Sequence, residues 1–345
     1  MKNILFIGTT HMNIYMDVIA EMQRQGYSVD FIPEKTQLDD PDNVRGYAGI
    51  SRILRVHPKT FRKKNEQYWR DILAADKYNR IYDILFVLDG QSVSPCVFDI
   101  LRERNPKLYA VNYLFDTVKC VYHFERNFNK FDKVATFDIA ESKQYGIGHL
   151  PIFWVESDCN VNLQYKTFGL GRIDMKRYKI FKFFDQLASQ FDIPSYIKLQ
   201  VDRYSFFMLK YFIRKLFGCV VLTPEVYYSD LCCQMSLSPS DFRKKIMESE
   251  IVIDTAPNNQ DGLTARFMWA LGAKRKIITT NEHVLKYPFY SPQQILVVNA
   301  DDIEKNKPYV ISFMEKALQI PSDKLEEIDK CRIDHWLEAL LPASE

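Results

Sequence analysis

No stretch of this 345-residue chain reaches the ~20 consecutive apolar residues needed to span a bilayer, so a transmembrane anchor is not expected. The opening apolar run, Ile4 to Ile7, is too short for a secretory signal and reads as a strand. Charge of one sign is also missing. The formal net charge is only +2, and with neither a basic excess nor a reading motif, nucleic acid is not an expected partner. The local cluster Arg62-Lys63-Lys64 reads as a solvated helix face. The seven cysteines lack any C-x-x-C unit, and Cys232-Cys233 is poorly spaced for chelation or bridging. Reduced thiols of a cytoplasmic protein are the expectation. His57, His123, His149, His283 and His335 fall into no ligand spacing, so no metal site is expected either. A nucleophile elbow, a Walker lysine and a metalloprotease helix are all absent.

What the chain does have is a globular composition, with 47% hydrophobic, 26% charged and 14% aromatic residues. Its length exceeds one ordinary core, and two domains are the natural expectation. Strand and helix signals alternate twice. In the first round the strands read as Ile4–Ile7, Ser28–Ile32, Asp83–Leu88, Leu108–Leu114, Lys133–Phe137 and His149–Phe153. A helix ends near Gly26, another covers about Thr60–Ala75 inside a polar insertion, and Ser94-Pro95 starts a third. The second round places strands at Tyr165–Phe168, Tyr196–Leu199, Cys219–Leu222, Ile251–Asp254, Lys276–Thr280 and Ile295–Val298. Gly169-Leu170-Gly171-Arg172 reads as its first turn, and Asp174 caps a helix with Tyr178, Phe181, Phe184 and Leu187 on one side. The expected fold class is therefore α/β, with two doubly wound Rossmann-like domains facing across a cleft that holds the ligand. Residues 1–158 form the first, with an insertion at about 36–80; residues 159–318 form the second. Residues 319–345 are a C-terminal helical segment returning to the first.

The richest stretch is residues 250–281, EIVIDTAPNNQDGLTARFMWALGAKRKIITTN, a strand, loop, helix and strand. Asp261-Gly262 sits at the helix start, expected from about Gly262 to Leu271, where backbone amides and the helix dipole favour phosphate. Thr264 can add a hydroxyl and Arg266 a forked guanidinium; equally, Asp261-Gly262 is only a loop and Arg266 a surface residue. Gly171 and Arg172 offer a second phosphate contact and Arg177 a third, although G-x-G without a third glycine is a weak signal and Arg177 also suits a solvent-facing position. For proton transfer the candidates are Asp116, after the strand ending at Leu114, and His11, after the first strand; each also suits a turn or helix start. Asp89 is a third. Residues 203–217, RYSFFMLKYFIRKLF, set Arg203, Lys210 and Arg214 on one face. Core packing with outward bases is the expectation, and peripheral contact with the inner face of an anionic membrane is its rival.

This stretch resembles the C-terminal signature of glycosyltransferases of bacterial polysaccharide (lipopolysaccharide or capsule) biosynthesis, related to the spore-maturation glycosyltransferase-like proteins. The matching residues are Asp254, Pro257, Gly262-Leu263-Thr264, Arg266, Ala270-Leu271-Gly272 and Thr279-Thr280-Asn281. Weaker likenesses lie at Tyr82–Val87, Tyr113–Thr117, Phe131–Asp138 and Tyr287–Tyr290. The resemblance implies a GT-B architecture, sugar transfer from a nucleotide-diphosphate donor to a saccharide or lipid-linked acceptor, and no obligatory metal or other cofactor. It assigns the donor to Gly262, Leu263, Thr264, Arg266, Thr280 and Asn281; Asp261 departs from the family's polar residue there and repels phosphate unless it caps the helix or binds the ribose. The pair of glutamates seven residues apart found in retaining enzymes is absent, with the shorter Asp254 and Asp261 at that spacing. A non-catalytic nucleotide-sugar-binding protein and a nucleotide-sugar epimerase of the same fold remain the alternatives.

Overall fold

The computed structural model describes residues 1–34, 59–118, 121, 124–156, 161–218, 222–234, 237–256 and 261–343. The chain divides into two compact units, Met1–Ile152 with Ile333–Glu345, and Phe153–Arg332. The division thus falls at 152/153, and the segment from Phe153 to Arg332 is one unit.

In the first unit six parallel strands run in the order β2-β1-β3-β4-β5-β6. They are β1 (Asn3–Gly8), β2 (Ser28–Pro33), β3 (Ile84–Leu88), β4 (Tyr109–Leu114), β5 (Lys133–Thr136) and β6 (Gly148–His149). Ile4, Leu5, Phe6 and Ile7 are all buried, as are all five residues of β3, because helices cover both faces of a central parallel strand. Leu5, Ile7, Leu85 and Val87 face a core built with Trp69 and Leu73 of one helix and Val97, Phe98 and Leu101 of another. Those helices are α2 (Lys59–Ala74) and α3 (Pro95–Arg104); α1 (Ile14–Arg24) precedes them, and Gly26 behind it adopts φ 87°. Phe124–Asn127 (α4) and Ile139–Tyr145 (α5) follow β4 and β5. The opposite face is aromatic. Trp336 lies 4.7 Å from Tyr113 and 6.1 Å from Phe86, ring centre to ring centre, and so packs the chain's last turns onto this sheet. Most of the expected insertion, residues 35–58, lies outside the described residues.

The second unit repeats the plan in the order β12-β11-β10-β7-β8-β9. Its strands are β7 (Tyr165–Arg172), β8 (Ser195–Gln200), β9 (Cys232–Cys233), β10 (Ser249–Asp254), β11 (Lys276–Thr279) and β12 (Ile295–Val297). Its helices are α6 (Met175–Phe191), α7 (Tyr204–Leu216), α8 (Pro224–Tyr227), α9 (Pro239–Met247), α10 (Ala265–Gly272), α11 (Lys307–Glu315) and α12 (Ser322–Asp329); α13 (Ile333–Glu338) belongs to the first unit. Phe181, Phe184 and Leu187 of α6 are buried against β8 and β10, as their spacing predicts.

Three local expectations are corrected. Gly169-Leu170-Gly171-Arg172 is not a turn but the end of β7, paired in register with Ile197–Gln200. Its glycines serve lateral room: a Cβ on Gly169 would come within 3.1 Å of the Phe181 ring, and one on Gly171 within 2.7 Å of the Arg177 guanidinium. Helix α10 starts at Ala265 rather than Gly262, because Thr264 caps it through a 3.1 Å bond accepted from the Phe267 amide. The outer strand is Cys232–Cys233, pairing with Leu199–Gln200; most of the expected strand Cys219–Leu222 lies outside the described residues, and Leu222 is not in a strand.

The indole of Trp154 lies directly on Gly272, where a Cβ would overlap it, while its Nε1 donates to the Ile328 carbonyl at 2.8 Å. Gly272→Ala is therefore expected to cost about 1–3 kcal/mol of stability by overpacking. Urea denaturation of the purified variant measures this, and an unchanged midpoint would contradict the contact.

Candidate functional site

In a doubly wound sheet ligands gather outside the carboxyl ends of the strands, near the point where strand order reverses. In the second unit the reversal lies between β7 and β10. Arg177 of α6 stitches the two strand ends there, its Nε donating to Thr255 Oγ1 at 2.6 Å and its terminal nitrogens to the carbonyls of Arg172 and Thr255. Asp174 caps α6 on the Arg177 amide and pairs with its guanidinium at 3.2 Å. Arg172 points elsewhere; it is 69% exposed and paired with Asp202 at 2.7 Å.

Asp254 ends β10, 1% exposed. It accepts the Thr264 hydroxyl at 2.7 Å and the Thr279 hydroxyl at 3.2 Å, and the Arg266 guanidinium lies 3.8 Å away. The hydroxyl and guanidinium that the sequence offers to a phosphate are thus turned toward a buried carboxylate. Burial pushes Arg266 down to about 10, against the opposing pull of Asp254; nearby Arg177 adds to the depression. Gly262 and Leu263 are buried, and Asn281 Nδ2 holds the carbonyls of Asp261 and Gly262 at 3.2 and 3.0 Å. The same Asn281 caps the following turn on the His283 amide, and Thr280 Oγ1 accepts from the Ala256 amide.

Beside these residues is a cavity of about 510 Å³, lined among others by Lys176, Asp261, Thr280, Asn281, His283 and Asn299. That volume suits a mid-sized organic ligand. Asp261 does not cap the helix; it faces this cavity and pairs with His283 Nε2 at 3.2 Å. Of the sequence candidates, Asp261, Thr280 and Asn281 meet at the cavity wall. Gly171, Arg177, Thr264 and Arg266 shape the strand ends behind it. Lys176, His283 and Asn299 had no motif to mark them, since a loop after β12 and the first turn of α6 meet only in the folded unit. Pro257 lies outside the described residues.

In the first unit the order reverses between β1 and β3, and backbone strain collects there. Met12 and Asn13, in the short turn His11–Asn13 after β1, both have φ 55°, and Asp89 after β3 has φ 68°. Left-handed non-glycine residues persist where the surroundings over-determine them, often at functional sites. Asp89 is buried and accepts the amides of Phe115 (2.7 Å) and Asp116 (3.0 Å) on Oδ1. Glu34 reaches the amides of Gly90 and Ser92 in the next loop. Asp116 itself is half-buried and accepts from the Thr117 amide at 2.9 Å. Three carboxylates therefore converge at this edge. Burial, then the charges of Glu34 and Asp116, lift Asp89 to about 7 against the two amides that favour its ionised form. Among the described residues no group of three or more His, Cys, Asp or Glu side chains is placed to hold a metal ion.

Compared with solved structures, the chain aligns over 98% of its length with 97% of a sucrose-phosphate synthase from Thermosynechococcus elongatus, at 12% identity and TM-score 0.59. It aligns likewise with 99% of Anabaena HepE, solved with UDP and glucose, at 9% identity and TM-score 0.54. An alpha-glucosyltransferase solved with UDP and a mismatched 13-mer DNA aligns over 95% of this chain and 94% of its own, at 11% identity and TM-score 0.53. No family model and no curated protein matches the sequence. Two six-stranded parallel α/β units and these likenesses define the class: the fold is the GT-B fold of two Rossmann-like units.

Because Asp89 holds a proton up to about pH 7 when folded, whereas an unfolded aspartate loses it near 3.8, the stability that Asp89 contributes is lost as pH rises from about 4 to about 7. Urea titrations across that range should show this slope in the parent and a flatter one in Asp89→Asn. Equal slopes would contradict the burial of a protonated acid.

Proposed function

We propose that the chain is a glycosyltransferase that moves a sugar from a nucleotide-diphosphate donor to a saccharide or lipid-linked acceptor in surface polysaccharide biosynthesis, at the inner face of the membrane. The observation that carries the donor half is the cavity at the ends of β10, β11 and β12, where Lys176 meets hydroxyl and amide groups beside Asp261. Lys176 is the counter-charge for the leaving diphosphate, and Asp261 accepts a hydroxyl of the ribose or sugar. Thr280 and Asn281 bound the same space, with Gly262 and Leu263 holding the helix start behind them. Gly171, Arg177, Thr264 and Arg266 keep the strand ends in place. The HepE structure with UDP and glucose is in keeping with a nucleotide-sugar donor on this fold. The signature at residues 250–281 is what points to polysaccharide biosynthesis, and the net charge of +2 speaks for a sugar acceptor over nucleic acid.

The acceptor hydroxyl oxygen attacks the anomeric carbon, the bond from that carbon to the diphosphate oxygen breaks, and the hydroxyl proton passes to Asp116. The diphosphate leaves with the bonding pair, so neither a metal nor a further cofactor enters the balance. Asp89 positions Asp116 by binding its amide, and its ionisation above about pH 7 places a second negative charge beside it. His11, in the strained turn after β1, is assigned to the acceptor.

Lys176→Ala is expected to weaken calorimetric binding of nucleoside diphosphate roughly tenfold or more, the effect of losing one charge-assisted bond. Asp116→Asn should leave that binding intact and lower turnover by at least about 100-fold. In Asp89→Asn the rise of rate through pH 7 should disappear. Diphosphate binding without turnover in the parent protein would favour the non-catalytic binder instead.

A further inference from the structure

We propose that helix α7 is a docking surface for an anionic lipid bilayer. Sequence spacing suggested core packing for this helix, and the structure corrects it. Leu209, Phe212, Ile213 and Leu216 are 53%, 61%, 48% and 83% exposed, although a large apolar side chain in water forgoes burial. At 100° per residue these four fall within one arc, with Leu209 and Leu216 at its centre. The opposite side carries the aromatic contacts: Phe207 and the partly exposed Tyr204 lie 5.2 and 5.1 Å from the Tyr227 ring of α8. The helix is therefore anchored by one edge and presents an apolar stripe on the other.

Charge selects the partner. Lys215 lies beside the stripe on one side and Arg203 on the other, with Arg214 farther round toward Phe207, all exposed. Residues 203–218 contain no Asp or Glu. A helix that sinks a stripe of Leu, Ile and Phe to the acyl boundary needs cations at both flanks, level with the headgroup phosphates, and α7 has that arrangement. A self-associating apolar face would not need like charges on both rims, which would repel across a two-fold contact. Among the described residues no helix is long and apolar enough to cross a membrane, so the contact is an interfacial one. The inference goes beyond the proposed sugar transfer and stands without it.

The test is co-sedimentation of the full chain with phosphatidylcholine vesicles, with and without phosphatidylglycerol. Binding is expected with phosphatidylglycerol and should weaken as salt rises, since about 1 kcal/mol per surface cation, roughly a fivefold change, is screened. Phe212→Glu and Leu216→Glu should each reduce the bound fraction roughly tenfold or more, while Arg214→Glu should flatten the salt dependence. Far-ultraviolet circular dichroism and the urea midpoint should be unchanged in all three, which shows they are folded whether or not the donor site binds diphosphate. Absence of vesicle binding by the parent, or equal binding by the Glu variants, overturns the proposal. So does a concentration-dependent dimer in sedimentation velocity that ignores vesicles, which would assign the stripe to a second copy.

Discussion

The second unit depends on one buried carboxylate. Asp254 ends the central strand of its sheet and receives the hydroxyls of Thr264 and Thr279 and the approach of the Arg266 guanidinium. Those partners belong to the next helix and the next strand, so one side chain fixes where three elements meet. Burying both ions is expensive, and the pair persists because each compensates the other while hydroxyls satisfy the remaining acceptor capacity. Arg266 nevertheless keeps a buried Nε without a hydrogen-bond partner among the described residues. The cavity wall follows from this hub. Once Thr264 is turned inward to Asp254, α10 begins at Ala265, and Asn281 ties down the two carbonyls ahead of it.

The two units place different charges at the reversal point of one topology. At the reversal point of the first sheet, Glu34, Asp89 and Asp116 converge, and the crowding of negative charge with burial holds Asp89 near neutrality. At the reversal point of the second, Arg177 joins the strand ends and Lys176 faces the cavity. Strain marks the acidic edge as well, with Met12, Asn13 and Asp89 in left-handed conformations that cost energy in isolation.

Much of the architecture was legible because parallel strands buried on both faces read as continuous apolar runs, as in Ile4–Ile7, Ile84–Leu88 and Ile251–Ile253. A helix start with a polar side-chain cap was also legible, at Asp174. What failed were glycines and tertiary neighbours. Gly169 and Gly171 suggested a phosphate turn, yet they lie in a strand and make way for Phe181 and Arg177, residues six or more positions later. The place of Arg266 was not legible, because sequence cannot tell a guanidinium aimed at phosphate from one lying beside a buried aspartate. Lys176 and Asn299 carry no local pattern; only the fold brings them to one cavity. Helix α7 has the spacing of a core helix, and exposure of its apolar stripe is visible only in three dimensions.

The central claim is that the ends of β10, β11 and β12 hold a nucleoside diphosphate. A crystal of the protein soaked with uridine or guanosine diphosphate tests it most directly. The account predicts phosphate density within hydrogen-bonding distance of Lys176, in the space bounded by Asp261, Thr280 and Asn281. Density at any other place, or a site that stays empty at saturating nucleotide, would contradict it.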